Sequence, residues 1–424
     1  MNQDTTMFLI ICSAMVLFMT PGLAFFYGGL VRASSVVSMM MMSFGSLGLI
    51  GVLWIAYGYA MSFSNGTDKG FIGIDSVLGV SPGKLFMADA LDAAKTGNGF
   101  PFAFGGFQGT FAIITVALIS GAIADRAKFG SWMVFAGAWA TVVYFPVASW
   151  VFNFGTTNGK VTSGGWLVHE VGLLDFAGGT VVEIASGASA LAVALVVGKR
   201  FGFTKGMHAP HNVPLVLIGA AILIFGWFGF NAGSEAAADG VASLAFINTL
   251  AAPVGAMLSW GLYEKLKHGK ATSVGIATGA VAGAVAITPA CAFLDPIWSL
   301  VLGAVVGVIC AIAIEAKFRF GFDDSLDVVG VHLVAGVIGT LYIGLLADNS
   351  GLFFGHGFTQ LGRQAIGVIS VGIYAFAASW LIAKAIQKTI GFRVTSTDEI
   401  AGVDLIQHGE SAYAGADPRW QWRG

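Results

Sequence analysis

Asp175-Phe-Ala-Gly-Gly-Thr-Val-Val-Glu183-Ile-Ala-Ser-Gly187 and Asp327-Val-Val-Gly-Val-His332-Leu-Val-Ala-Gly336 share one pattern. An aspartate comes first, then an ionisable residue inside an apolar run, then a glycine four residues further on. A charged side chain at the centre of a bilayer costs about 2.5–3.5 kcal/mol on insertion scales, so such a residue faces a partner or a polar cavity. Two readings of Glu183 and His332 follow, and they are compatible. The pair ties two transmembrane segments together, or it forms a polar element of a pathway. Spacing supports pairing only under a condition. Glu183 lies about 12 Å along a helix from Asp175, and His332 about 7.5 Å from Asp327 on the other side. In a core of about 30 Å these depths meet only if one segment begins below the interface.

The rest of the chain supplies the membrane. Apolar residues make up 56% of the 424 residues and charged residues 10%, with a mean hydropathy of +0.81. A soluble domain carries roughly 25% charge, so lipid must be the solvent for most of this surface. The net charge of −2 argues against nucleic acid as a partner. Cys12, Cys291 and Cys310 stand in apolar runs at no metal or disulfide spacing and read as small core residues. The sixty glycines suit closely packed membrane helices. No Lys or Arg precedes the first apolar run, so Met7–Val31 reads as a retained span and not as a cleaved signal.

Apolar runs long enough to cross lie near 7–31, 36–62, 101–124, 131–152, 174–198, 213–233, 240–263, 272–292, 296–318, 328–347 and 363–388. Eleven crossings put the termini on opposite sides. With the N-terminus outside, sixteen of the twenty-one basic residues fall inside, and only Lys69, Lys84, Lys95, Lys160 and Arg363 fall outside. The positive-inside rule therefore predicts N-out and C-in. The two patterned segments are the fifth and tenth crossings. Five helices per half is odd, so the halves must have opposite topology, a recurring plan for transporters with a polar site at mid-membrane. The expected fold is an all-α integral membrane protein of two inverted five-helix repeats plus a final helix. The membrane domain is expected over residues 1–390 and a cytoplasmic tail over 391–424.

Other chemistry is sparse. His208, His211, His268 and His408 fall in expected cytoplasmic segments and His356 in an outer loop, where solvated or capping roles are expected. Only His332 is an in-span histidine of the kind that haem ligation needs. The chain has no Walker A motif, HExxH or CxxC, and no Ser/His/Asp constellation is evident. No cofactor, no metal and no enzymatic activity are expected. Aromatic residues cluster at Phe107 and Phe111 in the third run and at Trp227, Phe228 and Phe230 at the end of the sixth, followed by Ser234. Ring faces attract cations by about 0.5–2 kcal/mol. An interfacial aromatic belt has the same composition.

Seven separated motifs narrow the choice: FYGGLVR (26–32), AFGGFQGTFAIITVALISGAIADR (103–126), DFAGGTVVEI (175–184), GWFGFNAGS (226–234), ITPAC (287–291), DVVGVH (327–332) and HGESAY (408–413). On these the chain resembles the Amt/Mep/Rh ammonium transporter family, in its bacterial Amt branch. The resemblance implies a homotrimer in the inner (plasma) membrane, with a pore in every subunit. It implies recruitment of NH4+ at an outer vestibule, loss of a proton, passage of NH3 and reprotonation inside. Phe111 and Phe230 take the place of the stacked pair at the pore mouth, Ser234 of the vestibule hydroxyl, Asp175 of the buried aspartate that supports recruitment, and Trp227 of a pore-lining ring. Phe152 falls where the family usually has a vestibule tryptophan, with Trp150 and Trp166 as substitutes. Glu183 stands where most members have a histidine paired with the one at His332, an exchange also seen in some fungal members. The tail matches at Gly402-Val-Asp404 and His408-Gly-Glu410, where the resemblance implies docking of a trimeric nitrogen-regulatory signal protein. The competing reading is an ammonium sensor that signals through its tail.

Overall fold

The computed structural model describes residues 3–157, 160–203 and 209–413. Lys205, His208, Arg419 and Arg423, counted above as cytoplasmic, lie outside the described residues, as does the tail beyond residue 413. Among the described residues, ten helices are long and apolar enough to cross a bilayer: Gln3–Leu30, Val36–Phe63, Phe100–Ile123, Phe129–Phe152, Gly179–Val197, Val213–Gly233, Gly240–His268, Pro296–Phe320, Val329–Leu346 and Thr359–Thr389. A further apolar helix, Ser273–Ile287, has 15 residues. At 1.5 Å per residue it spans about 22 Å, short of a 30 Å core. Among the described residues it comes eighth in chain order when placed with the ten long helices. The outer polar stretches carry two short antiparallel hairpins, Ile72–Ile74 with Leu78–Val80 and Phe154–Thr157 with Lys160–Gly164.

Glycine sets how closely the helices pack. The first and sixth helices run antiparallel with their backbones in contact. A Cβ at Gly219 would sit 2.2 Å from the Phe26 amide nitrogen, and one at Gly226 would sit 2.1 Å from Met19 Cγ. Small residues make such contact possible where lipid offers no hydrophobic drive for association.

The fifth and tenth helices cross in the same way. A Cβ at Gly187 would lie 2.5 Å from the Leu333 amide nitrogen, and one at Gly336 would lie 2.9 Å from Glu183 Cβ. The glycine four residues beyond each ionisable residue is what lets the other helix approach. The two helices are antiparallel, yet they touch within about a turn of both N-termini. Each helix must therefore start inside the apolar core, one from either side of the crossing. Chain turns before Gly179 and Val329 carry the backbone inward before either helix starts. This meets the depth condition that the spacing set.

The lead-in turns also correct the register of the repeat. Asp175 Oδ1 accepts from the Gly178 and Gly179 amides at 2.8 and 2.7 Å. Its Oδ2 accepts from the Thr180 amide at 2.7 Å and from the Thr180 hydroxyl. In the second half the capping carboxylate is not Asp327 but Asp324, whose Oδ2 accepts from the Val329 amide at 2.7 Å. Asp175 and Asp324 each precede the ionisable residue by eight positions. Asp175/Asp324, Glu183/His332 and Gly187/Gly336 thus share one offset of 149 residues. A cap must reach amides at the start of its helix, and Asp327 instead bonds Lys317.

Arg126 locks the inner ends of these elements. It is fully buried and donates to the carbonyls of Ala122 (3.1 Å), Ala124 (3.2 Å), Gly198 (2.8 Å) and Asp323 (2.6 Å) and to Ser325 Oγ (2.5 Å). Burial pulls its pKa down to about 10, which leaves it charged at neutral pH. The tail is bound beneath. Asp404 accepts from the Val37 and Ser38 amides at 3.0 and 2.8 Å and so caps the second helix. Glu399 accepts from the Phe201 amide at 2.6 Å and pairs with Arg393 at 2.6 Å.

The crossing makes a direct prediction. Gly187→Val forces side-chain atoms into the Leu333 backbone and should cost at least about 1–3 kcal/mol. The thermal unfolding midpoint in detergent should fall. An unchanged midpoint would contradict the close crossing.

Candidate functional site

The aromatic residues form a lid. Phe111 on the third helix and Phe230 on the sixth stack with ring centroids 4.0 Å apart and an interplanar angle of 29°. Phe107 packs on Phe111 at 4.8 Å, and Phe152 meets Phe111 edge-on at 6.3 Å and 90°. Phe111 and Phe230 are buried at 0% and 1% relative exposure, so the stack is closed. Ser234 lies one helical turn beyond Phe230, and its hydroxyl donates to the Phe230 carbonyl at 2.8 Å. The hydroxyl oxygen keeps lone pairs for a donor arriving from outside. Trp227 packs below Phe230 at 5.8 Å and donates to Thr288 Oγ1 at 2.8 Å. Thr288 belongs to the ITPAC motif, and the next residue, Pro289, accepts from the Phe176 amide and packs on Gly179. One motif thus places both the tryptophan and the start of the fifth helix.

Beneath the lid is a narrow cavity of about 20 Å³, lined by Met19, Leu23, Phe26, Tyr27, Ile114, Leu118, Val182, Glu183, Leu223, Trp227, Phe230, Val281 and His332. A cavity needs roughly 10–15 Å³ by this measure to hold one water. It therefore takes one molecule of that size. Nearly all of its wall is hydrocarbon or aromatic. Its polar groups are Glu183 and His332, joined through Oε2 and Nδ1 at 2.6 Å and buried at 1% and 4% exposure. One proton must lie between these atoms. Either imidazole N–H donates to carboxylate, or carboxylic acid donates to imidazole.

A second cavity of about 620 Å³ opens on the other side, and Phe26, Tyr27, Val281 and His332 border both. Its wall is charged: Arg32, Asp125, Arg200, Glu264, Glu315, Lys317 and Asp327 contribute. The Tyr27 hydroxyl donates to the Leu118 carbonyl at 3.1 Å, which holds the ring at the junction.

All eight residues singled out from the sequence fall along this axis or frame it. Phe111, Phe152, Phe230 and Ser234 form the lid, and Trp227, Glu183 and His332 line the narrow cavity. Asp175 acts as a cap at the head of the fifth helix, seven and eight residues before that helix's lining residues Val182 and Glu183. Trp150 points elsewhere; it donates to the Val77 carbonyl at 2.6 Å and packs on Trp166 and Tyr374. Sequence reasoning missed Tyr27 and Thr288, although both lie in motifs it quoted. It also missed Glu235, next to Ser234, whose carboxyl is pushed up to about 7 by burial and then by Asp239. Two histidines expected to be solvated or capping are engaged instead. His211 bonds the Val31 carbonyl (2.9 Å) and the Tyr413 hydroxyl (2.7 Å), and His408 packs edge-on against Phe129.

Comparison with known proteins points to one family. The model of the Ammonium Transporter Family matches residues 7–413. An ammonium transporter of Mycobacterium tuberculosis is 47% identical over 432 residues, covering 96% of this chain and 90% of its own. The crystal structure of Candida albicans Mep2 superposes with a TM-score of 0.84 at 31% identity, covering 99% of this chain and 92% of that one. A structure described as a sensor Amt protein gives a TM-score of 0.85 at 27% identity, covering 95% and 98%.

The Asp175 cap is separable from the lining residues by experiment. Asp175→Ala leaves the Gly178, Gly179 and Thr180 amides without their acceptor, a loss of about 2 kcal/mol or more. Asp175→Asn keeps one amide acceptor and should lose less. Thermal unfolding of the two variants should rank them in that order, and equal stability to the parent would dismiss the cap.

Proposed function

The chain belongs to the ammonium transporter family, and from that premise we propose that it recruits NH4+ at the Phe111/Phe230 lid and conducts it inward as NH3 plus a relayed proton. Its relatives are transporters, not enzymes. The observation that carries the reading is the sequence of environments along one axis. A stacked aromatic lid covers an apolar cavity with room for one molecule, which ends on a buried acid–base pair and then widens into a charged cavity.

Each environment has a physical task. At the lid the cation exchanges water for the faces of Phe111, Phe230 and Phe152 and for the Ser234 hydroxyl, at about 0.5–2 kcal/mol per ring. These rings cannot replace the full hydration shell of a bare ion. The hydrocarbon wall then penalises charge by several kcal/mol, whereas neutral NH3 passes with its small dipole. The proton must take another route, and Glu183 and His332 already share one. The pair accepts a proton on the lid side at a free basic atom, Glu183 Oε1 of the carboxylate or His332 Nε2 of the neutral imidazole. It releases one towards the wide cavity, which His332 also borders. Glu183 also makes the site differ from an imidazole pair. A carboxylate in the narrow cavity would attract cations themselves, and K+ is the test ion.

The wider setting follows the same reading: eleven crossings with N-out and C-in, a homotrimer in the inner membrane, and a tail that receives a trimeric nitrogen-regulatory signal protein. A second reading, an ammonium sensor that signals through its tail, is favoured by the likeness to the sensor Amt protein. Flux distinguishes them. A sensor binds ammonium saturably without passing it.

The test is ammonium-evoked current in proteoliposomes. The parent should give a saturable current, and Glu183→Gln, which keeps the volume and loses the titratable group, should reduce it at least tenfold. Intact current in Glu183→Gln would eliminate the relay. Any K+-evoked current in the parent should disappear in Glu183→His; its persistence would clear Glu183 of a role in selectivity.

A further inference from the structure

The wall of the narrow cavity contains two hydrogen-bond donors besides the acid–base pair, and both are committed elsewhere. Tyr27 and Trp227 each carry one donor and both line the cavity. The Tyr27 hydroxyl donates to the Leu118 carbonyl at 3.1 Å. The Trp227 indole N–H donates to Thr288 Oγ1 at 2.8 Å. Among the described residues, the side-chain nitrogen and oxygen atoms of this lining that have no protein partner are Glu183 Oε1 and His332 Nε2.

The two donors are held by different means. Tyr27 uses a main-chain carbonyl, which any residue at position 118 supplies. Trp227 depends on a side chain that is itself outside the lining and fully buried. Thr288 gives its own hydroxyl proton to the Ala284 carbonyl at 2.8 Å, so towards the indole its oxygen can only accept. Its position is fixed as well. The Thr288 amide donates to the Ala284 and Val285 carbonyls at 3.2 and 3.3 Å, at the end of the helix Ser273–Ile287. That helix is clamped on two flanks. A Cβ at Gly283 would sit 2.6 Å from the Ala252 carbonyl oxygen, and one at Gly339 would run into the Ala286 carbonyl.

The chemistry of the cargo gives this arrangement a consequence. NH3 carries one lone pair and accepts hydrogen bonds well. In an apolar cavity no water competes for a donor, so a hydrogen bond there has several times its net strength in water. A free indole N–H would hold NH3 between the lid and the acid–base pair.

We propose that Thr288 is a positioning residue for transport: by holding the Trp227 N–H it keeps the cavity wall from donating to NH3, which then moves on without being retained. This rests on the transport reading above and adds to it a residue that sets how fast the narrow cavity empties. Thr288 acts only through Trp227 and touches no cargo.

The experiment measures saturable ammonium transport by the full chain in proteoliposomes. Thr288→Val keeps the shape of the side chain and removes the acceptor. The maximal rate and the half-saturating ammonium concentration should both fall about three- to tenfold, the range for one net hydrogen bond. Their ratio should stay within about twofold, because a molecule held midway slows exit and not entry. Thr288→Ser keeps both hydrogen bonds and should restore the parent values. On a Trp227→Phe background, which has no N–H to release, Thr288→Val should change neither quantity further. Thr288→Ala makes the same test if the valine variant does not reach the membrane. A lower maximal rate with an unchanged or raised half-saturation is what a packing defect gives, and it overturns the proposal. So does unaltered transport in Thr288→Val, an effect that persists on the Trp227→Phe background, or failure of Thr288→Ser to restore. A parent chain that passes no ammonium overturns the transport reading, and this role with it.

Discussion

The structure depends on one close crossing. Glu183 and His332 are too costly to bury singly, and they meet only because Gly187 and Gly336 remove the side chains that would hold the fifth and tenth helices apart. The crossing in turn requires both helices to start inside the apolar core, one from either side. That needs two inward turns, and each inward turn exposes amide groups that must be paired away from water. Asp175 and Asp324 supply the acceptors. Arg126 then gathers the carbonyls left at the inner ends of the third and fifth helices and of the turn before the tenth. The polar residues buried in this apolar chain thus form a connected set, each present because the previous one leaves a group unsatisfied.

That set accounts for the geometry of the pathway. The narrow cavity lies where the two crossing helices meet the glycine-packed pair of first and sixth helices, which supply Met19, Leu23, Phe26 and Tyr27 on one side and Leu223, Trp227 and Phe230 on the other. Such packing leaves room for about one small molecule and little for a hydration shell. Size alone does not distinguish K+ from NH4+ there. On the transport reading proposed above, the distinguishing property is that one of them can surrender a proton and become neutral, which is what an acid–base pair at the end of an apolar cavity would exploit.

Much of this was legible from residue types. The ten long helices follow from apolar runs, and Glu183 and His332 stood out because ionisable residues in such runs demand partners. The aromatic lid was less legible. An interfacial belt has the same composition, and only the matching motifs told Phe111 and Phe230 apart from other phenylalanines. The depths of Glu183 and His332 were counted on the assumption that a helix begins at its aspartate. It begins four residues later in the first half, because the aspartate caps from a turn. The same assumption selected Asp327 as the partner of Asp175 in the repeat. Asp324 and Asp327 are both aspartates before an apolar run, and only the amide hydrogen bonds tell which one caps. The roles of His211 and His408 were hidden for a different reason: they depend on contacts of a tail far away in sequence.

The corrected register changes what the repeat means. Where the halves agree, at Asp175 and Asp324 and at Gly187 and Gly336, the residues build the crossing, and a two-fold relation needs the same part twice. Where they differ, the parts cannot be explained by the crossing. Glu183 faces His332 across the axis, so the shared proton has an acid on one side and a base on the other. At the offset of 149 residues Gly178 corresponds to Asp327, and of the two Asp327 lines the wide cavity. A scaffold of like halves can supply unlike ends only at positions freed from packing. The two differences lie at such positions: one lines the midpoint of the axis and the other lies in a cavity wall.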